Sequence, residues 1–103
     1  MDIIDLRALC SPKHIKITVH AAKRLEQRDI LLRDILMCIQ TGEIIEQYPD
    51  DYPYPSCLIL GQSIDKSPMH TVIGMNETDL FLITAYFPDT DKWENDFRTR
   101  KEN

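Results

Sequence analysis

The sequence predicts an α+β domain in which helices pack on one face of a small antiparallel sheet. Apolar residues recur at helical spacing up to about residue 41, and they occur in strand-sized runs from Glu43 onward. Short turns separate those later runs. Such connections favour antiparallel pairing, because a parallel crossover needs about a dozen residues or more. The 103 residues suffice for one hydrophobic core, so we expect a single domain over residues 1–103. The expected element order is β-α-α-β-β-β-β-α, preceded by an N-terminal helix or arm.

The N-terminal part of the chain predicts a short helix or arm, then a strand and a helix. Residues 1–12 carry apolar side chains at a loose helical spacing that a Ser-Pro pair ends. Residues 14–18 alternate between polar and apolar side chains, which is typical of a half-buried strand. Thr18 can then cap a helix that runs to about Arg28. The residues expected to face inward from this helix are Val19, Ala22 and Leu25.

The middle of the chain predicts a second helix and then four strands. The helix runs from about Leu31 to Thr41, and Gly42 is expected to end it in a left-handed conformation. Segment 52–55 has two prolines, which fix the backbone and predict a stiff extended crossing. The four predicted strands cover residues 43–48, 56–61, 70–75 and 79–87.

A closing helix is predicted over about residues 91–101. Asp91 and Glu94 have the spacing of a capping pair, and Trp93 and Phe97 lie one turn apart on its apolar side. Three basic residues would favour its carboxyl end, where the helix dipole attracts cations: Arg98, Arg100 and Lys101.

Composition excludes several classes of protein. The chain is 43% hydrophobic and 28% charged, which is ordinary for a globular fold and argues against global disorder. No apolar run approaches the length of a membrane span. Acidic residues occupy the first positions, where a secretory signal would need basic ones. We therefore expect a cytoplasmic protein that does not enter a membrane.

The cysteines predict buried thiols. Cys10, Cys38 and Cys57 are far apart in sequence, and each lies among apolar neighbours. The chain has no C-x-x-C or H-x-x-x-H spacing, so no metal site is expected. No cofactor is implied either.

The net charge of −5 is unevenly distributed. Residues 1–28 hold six Lys/Arg against three acids, and residues 97–103 hold three against one, whereas residues 29–96 hold three against thirteen. The two basic segments would form one positive patch if the termini meet in space. As a whole, an acidic chain is a poor nonspecific binder of nucleic acid.

His20, Arg24 and Arg28 recur every fourth residue, which stacks them on one face of the predicted helix. This face gathers groups suited to moving a proton and to binding an anion such as phosphate. We predict that His20 acts as acid or base, and that Arg24 and Arg28 clamp phosphate with their forked donors. Alternatively, His20 bonds to backbone at the helix start, and both arginines are solvated or paired with acids.

Two further groups complete the predicted site. His70 begins one strand and Tyr86 ends the longest one, so both can face the arginine helix as a second acid/base pair. Arg98 and Arg100 are candidate substrate-binding residues in a phosphate patch. The alternatives are a buried, hydrogen-bonded histidine, a core tyrosine, and arginines that only compensate a helix dipole.

Several short pieces of the chain together resemble a bacterial family known as domain of unknown function 4258. They span about residues 15–98 and comprise Ile17-Thr18, His20, Arg24, Arg28, residues 42–46, Tyr48-Pro49, Leu60-Gly61, residues 68–70, residues 83–86, Pro88, Trp93, Phe97 and Arg98. The resemblance implies a fold similar to bacterial toxins of the RelE/ParE/BrnT type, with helices against an antiparallel sheet. Toxins of that type cut RNA on the ribosome or poison gyrase. RelE-like ribonucleases are generally basic, whereas this chain is acidic.

The leading hypothesis is therefore a toxin-like domain that binds RNA or cleaves it as a metal-independent ribonuclease. Its expected partners are RNA or the ribosome, and a cognate antitoxin. The alternative is a non-catalytic interaction module that forms a homodimer or binds a partner protein. That module would use an exposed sheet edge, or the tyrosine loop (residues 46–54), in which acids surround Tyr48, Tyr52 and Tyr54.

Overall fold

The computed structural model describes residues 1–102 as an α+β fold with three α-helices and a five-stranded mixed sheet. A short 3₁₀ turn over Pro12–His14 leads into the first strand. The elements in chain order are α1 (Ile3–Ala8), β1 (Ile15–Ile17), α2 (Val19–Gln27), α3 (Leu32–Thr41), β2 (Glu43–Tyr48), β3 (Ser56–Gln62), β4 (Pro68–Met75) and β5 (Leu80–Tyr86).

The N-terminal residues form a helix that is fixed to the rest of the fold. The Asp2 carboxylate accepts a hydrogen bond from the Ile4 amide and caps α1. Leu6 is fully buried in the core. Arg7 donates to the carbonyl oxygens of Ile39 (3.3 Å) and Gly42 (2.8 Å), which are orphan acceptors at the end of α3. Of the two expectations for this segment, the helix is the one observed.

Helix α2 starts where the sequence predicts, but it is rotated from the expected phase. The Thr18 hydroxyl accepts from the Ala21 amide at 3.1 Å, which confirms the predicted cap. Leu25 is buried as predicted, together with Ala21. The inward placement of Val19 and Ala22 is wrong: Val19 is 87% exposed, and Ala22 also faces solvent. The cap fixes the first turn, and the inward face therefore holds Ala21 and Leu25, with the half-buried Arg28 next along it.

The end of α3 is governed by a close approach to the sheet rather than by a left-handed residue. Gly42 has an extended backbone (φ −95°, ψ −179°), so the predicted left-handed stop is wrong. A Cβ at this position would lie 2.5 Å from the Cys38 carbonyl oxygen, and one at Gly61 would lie 2.2 Å from the same atom. Glycine is needed here because α3 packs directly on β3.

The sheet has the strand order β1-β5-β4-β3-β2. Strands β2 to β5 form the predicted antiparallel meander. The prediction of a wholly antiparallel sheet is wrong, because β1 pairs in parallel with β5 through Ile15–Ile17. Residues 18–79 separate these two strands, so the connection is far longer than the minimum that a parallel crossover needs.

The predicted closing helix is also wrong. Residues 89–102, which we call the strap, form turns and one bridge between Trp93 and Arg100. The Asp89 carboxylate accepts from the Asp91 amide (2.8 Å), and the Asp96 carboxylate accepts from the amides of Arg98 and Thr99 (3.0 Å each). Such side-chain bonds to nearby backbone compete with helix formation.

The two faces of the sheet are covered differently. Core residues of the helices, among them Leu25, Ile35 and Ile39, pack with one face, which includes Ile73 and Ala85. The strap lies on the opposite face, where the Trp93 ring meets the ring of His70 at a centroid distance of 4.5 Å. Within residues 1–102, no helix is long and apolar enough to cross a membrane.

The cysteines are free thiols within this core. Cys38 and Cys57 are fully buried as predicted, and Cys10 is half-buried. Burial raises the pKa of both the Cys38 and Cys57 thiols to about 11, so they stay protonated at neutral pH.

Candidate functional site

An open sheet edge lies beside the cationic face of α2. Strand β1 pairs only with residues 80–82 of β5, which continues to Tyr86. Beyond that point Arg28 replaces the missing strand: its Nη1 donates to the Thr84 hydroxyl (3.0 Å) and to the Ala85 carbonyl oxygen (2.9 Å). A β-bulge at Ile83 interrupts the pairing with β4 at the same place. At this part of the edge, hydrogen bonds from a side chain take the place of those that a neighbouring strand would make.

Two adjoining cavities follow this edge. The first, which we call the α2 groove, measures about 380 Å³ and is lined by His20, Arg24, Arg28, Ile83, Thr84 and Tyr86. The second, which we call the strap pocket, measures about 350 Å³ and is lined by Arg28, Tyr86, Phe87, Asp89, Lys92, Trp93 and Arg100. They share Arg28 and Tyr86. Four of the five residues predicted from sequence to be catalytic thus line one groove, and His70 lies behind it.

His20 and Arg24 are in direct contact at the open end of the α2 groove. Nε of Arg24 donates to Nε2 of His20 at 3.2 Å, so this imidazole nitrogen carries a lone pair in the structure. Among residues 1–102, no carboxylate lies within 4.0 Å of the charged groups of Arg24, Arg28 or Lys92. The groove therefore presents cationic donors whose charge is not neutralised by an adjacent acid.

His70 is fully buried and bonded through both ring nitrogens. Nε2 lies 2.6 Å from the Phe97 carbonyl oxygen, which only accepts, so Nε2 carries the proton. Nδ1 then accepts from the Tyr86 hydroxyl at 3.2 Å. Burial lowers the pKa of His70 against the smaller opposing effect of the Phe97 carbonyl, and the imidazole is neutral. This arrangement agrees with the alternative that the sequence left open, a buried histidine whose ring nitrogens are hydrogen-bonded.

Tyr86 connects this buried imidazole to the groove. Burial raises the pKa of its phenol, so the hydroxyl stays protonated and directs its hydrogen toward His70. The remaining lone pair of the oxygen is then free to accept a hydrogen bond on the groove side.

Phe97, whose carbonyl oxygen bonds to His70, has a left-handed backbone (φ 58°), a conformation that costs a bulky residue about 1–3 kcal/mol.

The two arginines predicted to bind substrate already have carboxylate partners. Arg98 forms an ion pair with Glu43 and does not line either cavity. Arg100 binds Glu46 with two hydrogen bonds (2.9 and 3.0 Å), and its guanidinium lies 4.6 Å above the Trp93 ring. This pairing lowers the pKa of the Glu46 carboxyl and raises the pKa of Arg100. Arg100 therefore lines the strap pocket with a positive charge that Glu46 neutralises.

Sequence reasoning missed several residues that line the cavities. Thr84 lies within the 83–86 segment that carries the family resemblance, so a signal for it existed. Phe87, Asp89 and Lys92 had none, because their position beside Arg28 depends on the path of the chain after β5. Among residues 1–102, no group of three or more His, Cys, Asp or Glu side chains is arranged to hold a metal ion.

Comparison with known proteins yields one match. The family model described as "Domain of unknown function (DUF4258)" matches residues 17–87. That range contains every residue of the α2 groove and ends where the strap is about to begin. No curated protein and no solved structure matches the chain.

Proposed function

The chain belongs to the DUF4258 family, and we propose that this member is a toxin-like domain that binds single-stranded RNA and cleaves it without a metal ion. One observation carries the proposal. A guanidinium without a carboxylate partner (Arg24), an imidazole (His20) and a phenol (Tyr86) line the same groove. These are the donor, the proton-transfer group and the positioning group that phosphodiester chemistry requires.

The cations of the groove supply phosphate binding. Arg24 is exposed and offers its forked donors to solvent, which suits bidentate contact with phosphate oxygens. Arg28 is held against the edge of β5 and contributes a fixed positive charge. Lys92 extends the positive surface into the strap pocket. A local cationic groove on a chain of net charge −5 favours selective binding over general attraction to nucleic acid.

The proposed reaction is an internal transfer within the RNA backbone. Nε2 of His20 takes the proton from a ribose 2′-hydroxyl, and the 2′-oxygen forms a bond to the adjacent phosphorus. The bond from phosphorus to the 5′-oxygen breaks, and that oxygen takes a proton from water in the open groove. The hydroxide that remains takes the proton from His20, which restores the neutral imidazole. The products are a 2′,3′-cyclic phosphate and a 5′-hydroxyl. Arg24 and Arg28 stabilise the charge that develops on the phosphate.

The contact between Arg24 and His20 links binding to proton transfer. While Arg24 donates to Nε2, this nitrogen cannot accept a proton from the substrate. A phosphate in the groove competes for the guanidinium, because a charged acceptor forms a stronger hydrogen bond than a neutral imidazole does. Substrate binding therefore frees the base at the moment when it is needed.

Tyr86 is proposed to orient the sugar. Its hydroxyl hydrogen is directed to His70, so its oxygen accepts from a donor in the groove. The 2′-hydroxyl of the ribose next to the one that reacts is such a donor, and DNA lacks it. This arrangement favours RNA over DNA as the substrate.

The resemblance to RelE/ParE/BrnT-type toxins supports the same proposal. A strand, two helices and four strands follow in the expected order, but the strap takes the place of the closing helix expected for such a domain. On this proposal the protein acts on RNA or the ribosome in the cytoplasm. A cognate antitoxin would block the groove.

The test measures RNA binding by purified protein. A fluorescent single-stranded RNA is titrated with wild type, with the double variant His20→Ala/Arg24→Ala, and with Lys23→Ala as a control that removes an exposed charge outside the groove. We expect the double variant to lose most of the affinity and the control to retain it. Equal affinity of wild type and double variant would contradict the claim that the α2 groove binds RNA.

A second candidate function is a protein-interaction module, which the tyrosine loop favours. Tyr52 is 94% exposed beside the exposed acids Asp50 and Asp51, whereas Tyr54 stacks on Phe81 with a centroid distance of 4.7 Å. An exposed aromatic ring among carboxylates suits a basic protein segment or a second copy of the chain. Light scattering distinguishes monomer from homodimer, and Tyr52→Ser would weaken such an association.

A further inference from the structure

The strap pocket has the size and lining of a small-ligand site. Its volume of about 350 Å³ lies within the range of about 300–1,000 Å³ that such sites occupy. Residues at the end of β5 and in the strap form most of its walls, and Arg28 at the end of α2 completes them. It opens beside the α2 groove, and Arg28 and Tyr86 form the boundary between the two. A chain of nucleotides in the groove would therefore deliver its next residue into this pocket.

Aromatic residues form the apolar part of the wall. Phe87 is 44% exposed and offers a ring surface, whereas Trp93 is only 3% exposed and is held between His70 and Arg100. An exposed aromatic ring beside cationic side chains is the arrangement on which bases of single-stranded nucleic acid stack. Phe87 therefore offers the stacking surface, and the buried Trp93 forms the rigid floor of the pocket.

Asp89 provides the acceptor of the pocket in a fixed orientation. Its Oδ1 accepts from the Asp91 amide at 2.8 Å, and its backbone carbonyl accepts from the amides of Lys92 and Trp93 at 3.0 Å each. Among the contacts of residues 1–102, the second carboxylate oxygen, Oδ2, has no hydrogen-bond partner. A carboxylate accepts only, so this side chain selects a ligand edge that carries N–H donors.

Lys92 provides a donor three residues further along the same turn. An ammonium donates only, so it selects an acceptor on the ligand. Every base offers both kinds of group, but guanine is the base that has two adjacent N–H donors on one edge beside an acceptor. Its N1–H and N2–H₂ donors match Asp89, and its O6 and N7 acceptors match Lys92.

We propose that the strap pocket binds a guanine base of the single-stranded RNA whose phosphate lies in the α2 groove. This inference rests on the proposed function, and it adds the base preference of the substrate. Phe87 stacks on the base, Asp89 reads its donor edge, and Lys92 reads its acceptors. The neutralised Arg100 closes the wall without attracting a phosphate of its own.

The test compares RNA oligomers that differ at one base. Uridine oligomers carrying a single guanosine, adenosine or cytidine are titrated by fluorescence anisotropy against the all-uridine oligomer. Discrimination between correct and incorrect bases should make the guanosine oligomer bind about tenfold more tightly than the others. Wild type that binds all four equally would overturn the inference and leave the proposed function standing. Wild type that binds none of them would overturn the proposed function and, with it, the inference.

Asp89→Asn makes the test more specific, because it replaces a hydrogen-bond acceptor in the pocket by a donor and keeps the turn. The asparagine oxygen can still accept from the Asp91 amide, and its NH₂ group then replaces Oδ2 in the pocket. We expect this variant to lose the tenfold preference for guanosine over the all-uridine oligomer. Asp91→Asn is the matched control: it removes the same charge from an exposed residue outside the pocket and should keep the preference. Retention of the preference by Asp89→Asn would overturn the inference.

Discussion

Nε of Arg24 lies 3.2 Å from Nε2 of His20, one helical turn earlier on α2. The geometry makes the imidazole nitrogen an acceptor in the free protein and leaves the arginine without a carboxylate partner among residues 1–102. A phosphate that takes the guanidinium releases the nitrogen for proton transfer. The two residues therefore act as one unit, and their variants are expected to behave non-additively.

Removal of the Arg24 side chain should weaken binding to RNA of every sequence. Arg24→Ala deletes a phosphate contact, so we expect affinity to fall about tenfold and the slope of log affinity against log salt to decrease by about 1. A salt titration of RNA binding checks both values. Lys23→Ala removes the same charge from the neighbouring exposed position and should leave the slope unchanged. Equal slopes for wild type and Arg24→Ala would contradict a phosphate contact.

Arg28 should matter for stability as well as for binding. Its guanidinium satisfies the Thr84 hydroxyl and the Ala85 carbonyl at the open edge of β5. Arg28→Ala leaves both groups to water, and we expect the free energy of unfolding to fall by about 1–2 kcal/mol, measured by urea denaturation. Arg24→Ala, which removes no bond to the sheet, should change it by less than about 0.5 kcal/mol. Equal losses in the two variants would contradict the structural role of Arg28.

The buried His70 should make the protein sensitive to acid. Burial holds its pKa in the folded chain below the ordinary value of 6.5. Below 6.5 the unfolded chain binds a proton that the folded chain does not, so the free energy of unfolding falls as the pH falls through this window. This group contributes at most about 1.4 kcal/mol per pH unit. Urea denaturation between about pH 7.5 and pH 5.5 measures the slope. His70→Gln should lose this part of the slope, and an unchanged slope would contradict the assignment.

Two glycines provide a matched test of the packing of α3 on β3. A Cβ at Gly61 would lie 2.2 Å from the Cys38 carbonyl oxygen, whereas one at Gly74 would have no atom closer than 3.5 Å. We expect Gly61→Ala to destabilise the fold by about 3 kcal/mol or more, because backbone must move. Gly74→Ala should be tolerated. Thermal denaturation of the two variants checks the difference, and similar midpoints would contradict the close approach.

The parts of the fold that the sequence predicted correctly depend on local chemistry. Thr18 caps α2, and β2 covers the residues expected from their strand character, because both features arise from neighbours in the chain. The parallel pairing of β1 with β5 joins residues about 65 positions apart, such as Ile15 and Leu80, and no local pattern reports it. The helical spacing of the strap's aromatic residues predicts a helix, but the turn bonds of Asp89 and Asp96 outweigh it.

The candidate site was predictable only where one element carries it. The fourfold spacing of His20, Arg24 and Arg28 indicates a shared helix face, and the structure has these residues in one groove. Arg98 and Arg100 looked equally cationic in sequence. Their neutralisation depends on β2 lying beside the strap, which brings Glu43 and Glu46 to them. The catalytic roles of the groove residues stay predictions until activity is measured.

The most direct test of the central claim is RNA cleavage by purified protein in the presence of EDTA. A single-stranded RNA with a labelled 5′ end is incubated with wild type and with His20→Ala, and the products are separated by gel electrophoresis. The expected result is cleavage by wild type to fragments ending in a 2′,3′-cyclic phosphate, with none from the variant. Intact RNA after incubation with wild type, or equal cleavage by both proteins, would contradict the proposal.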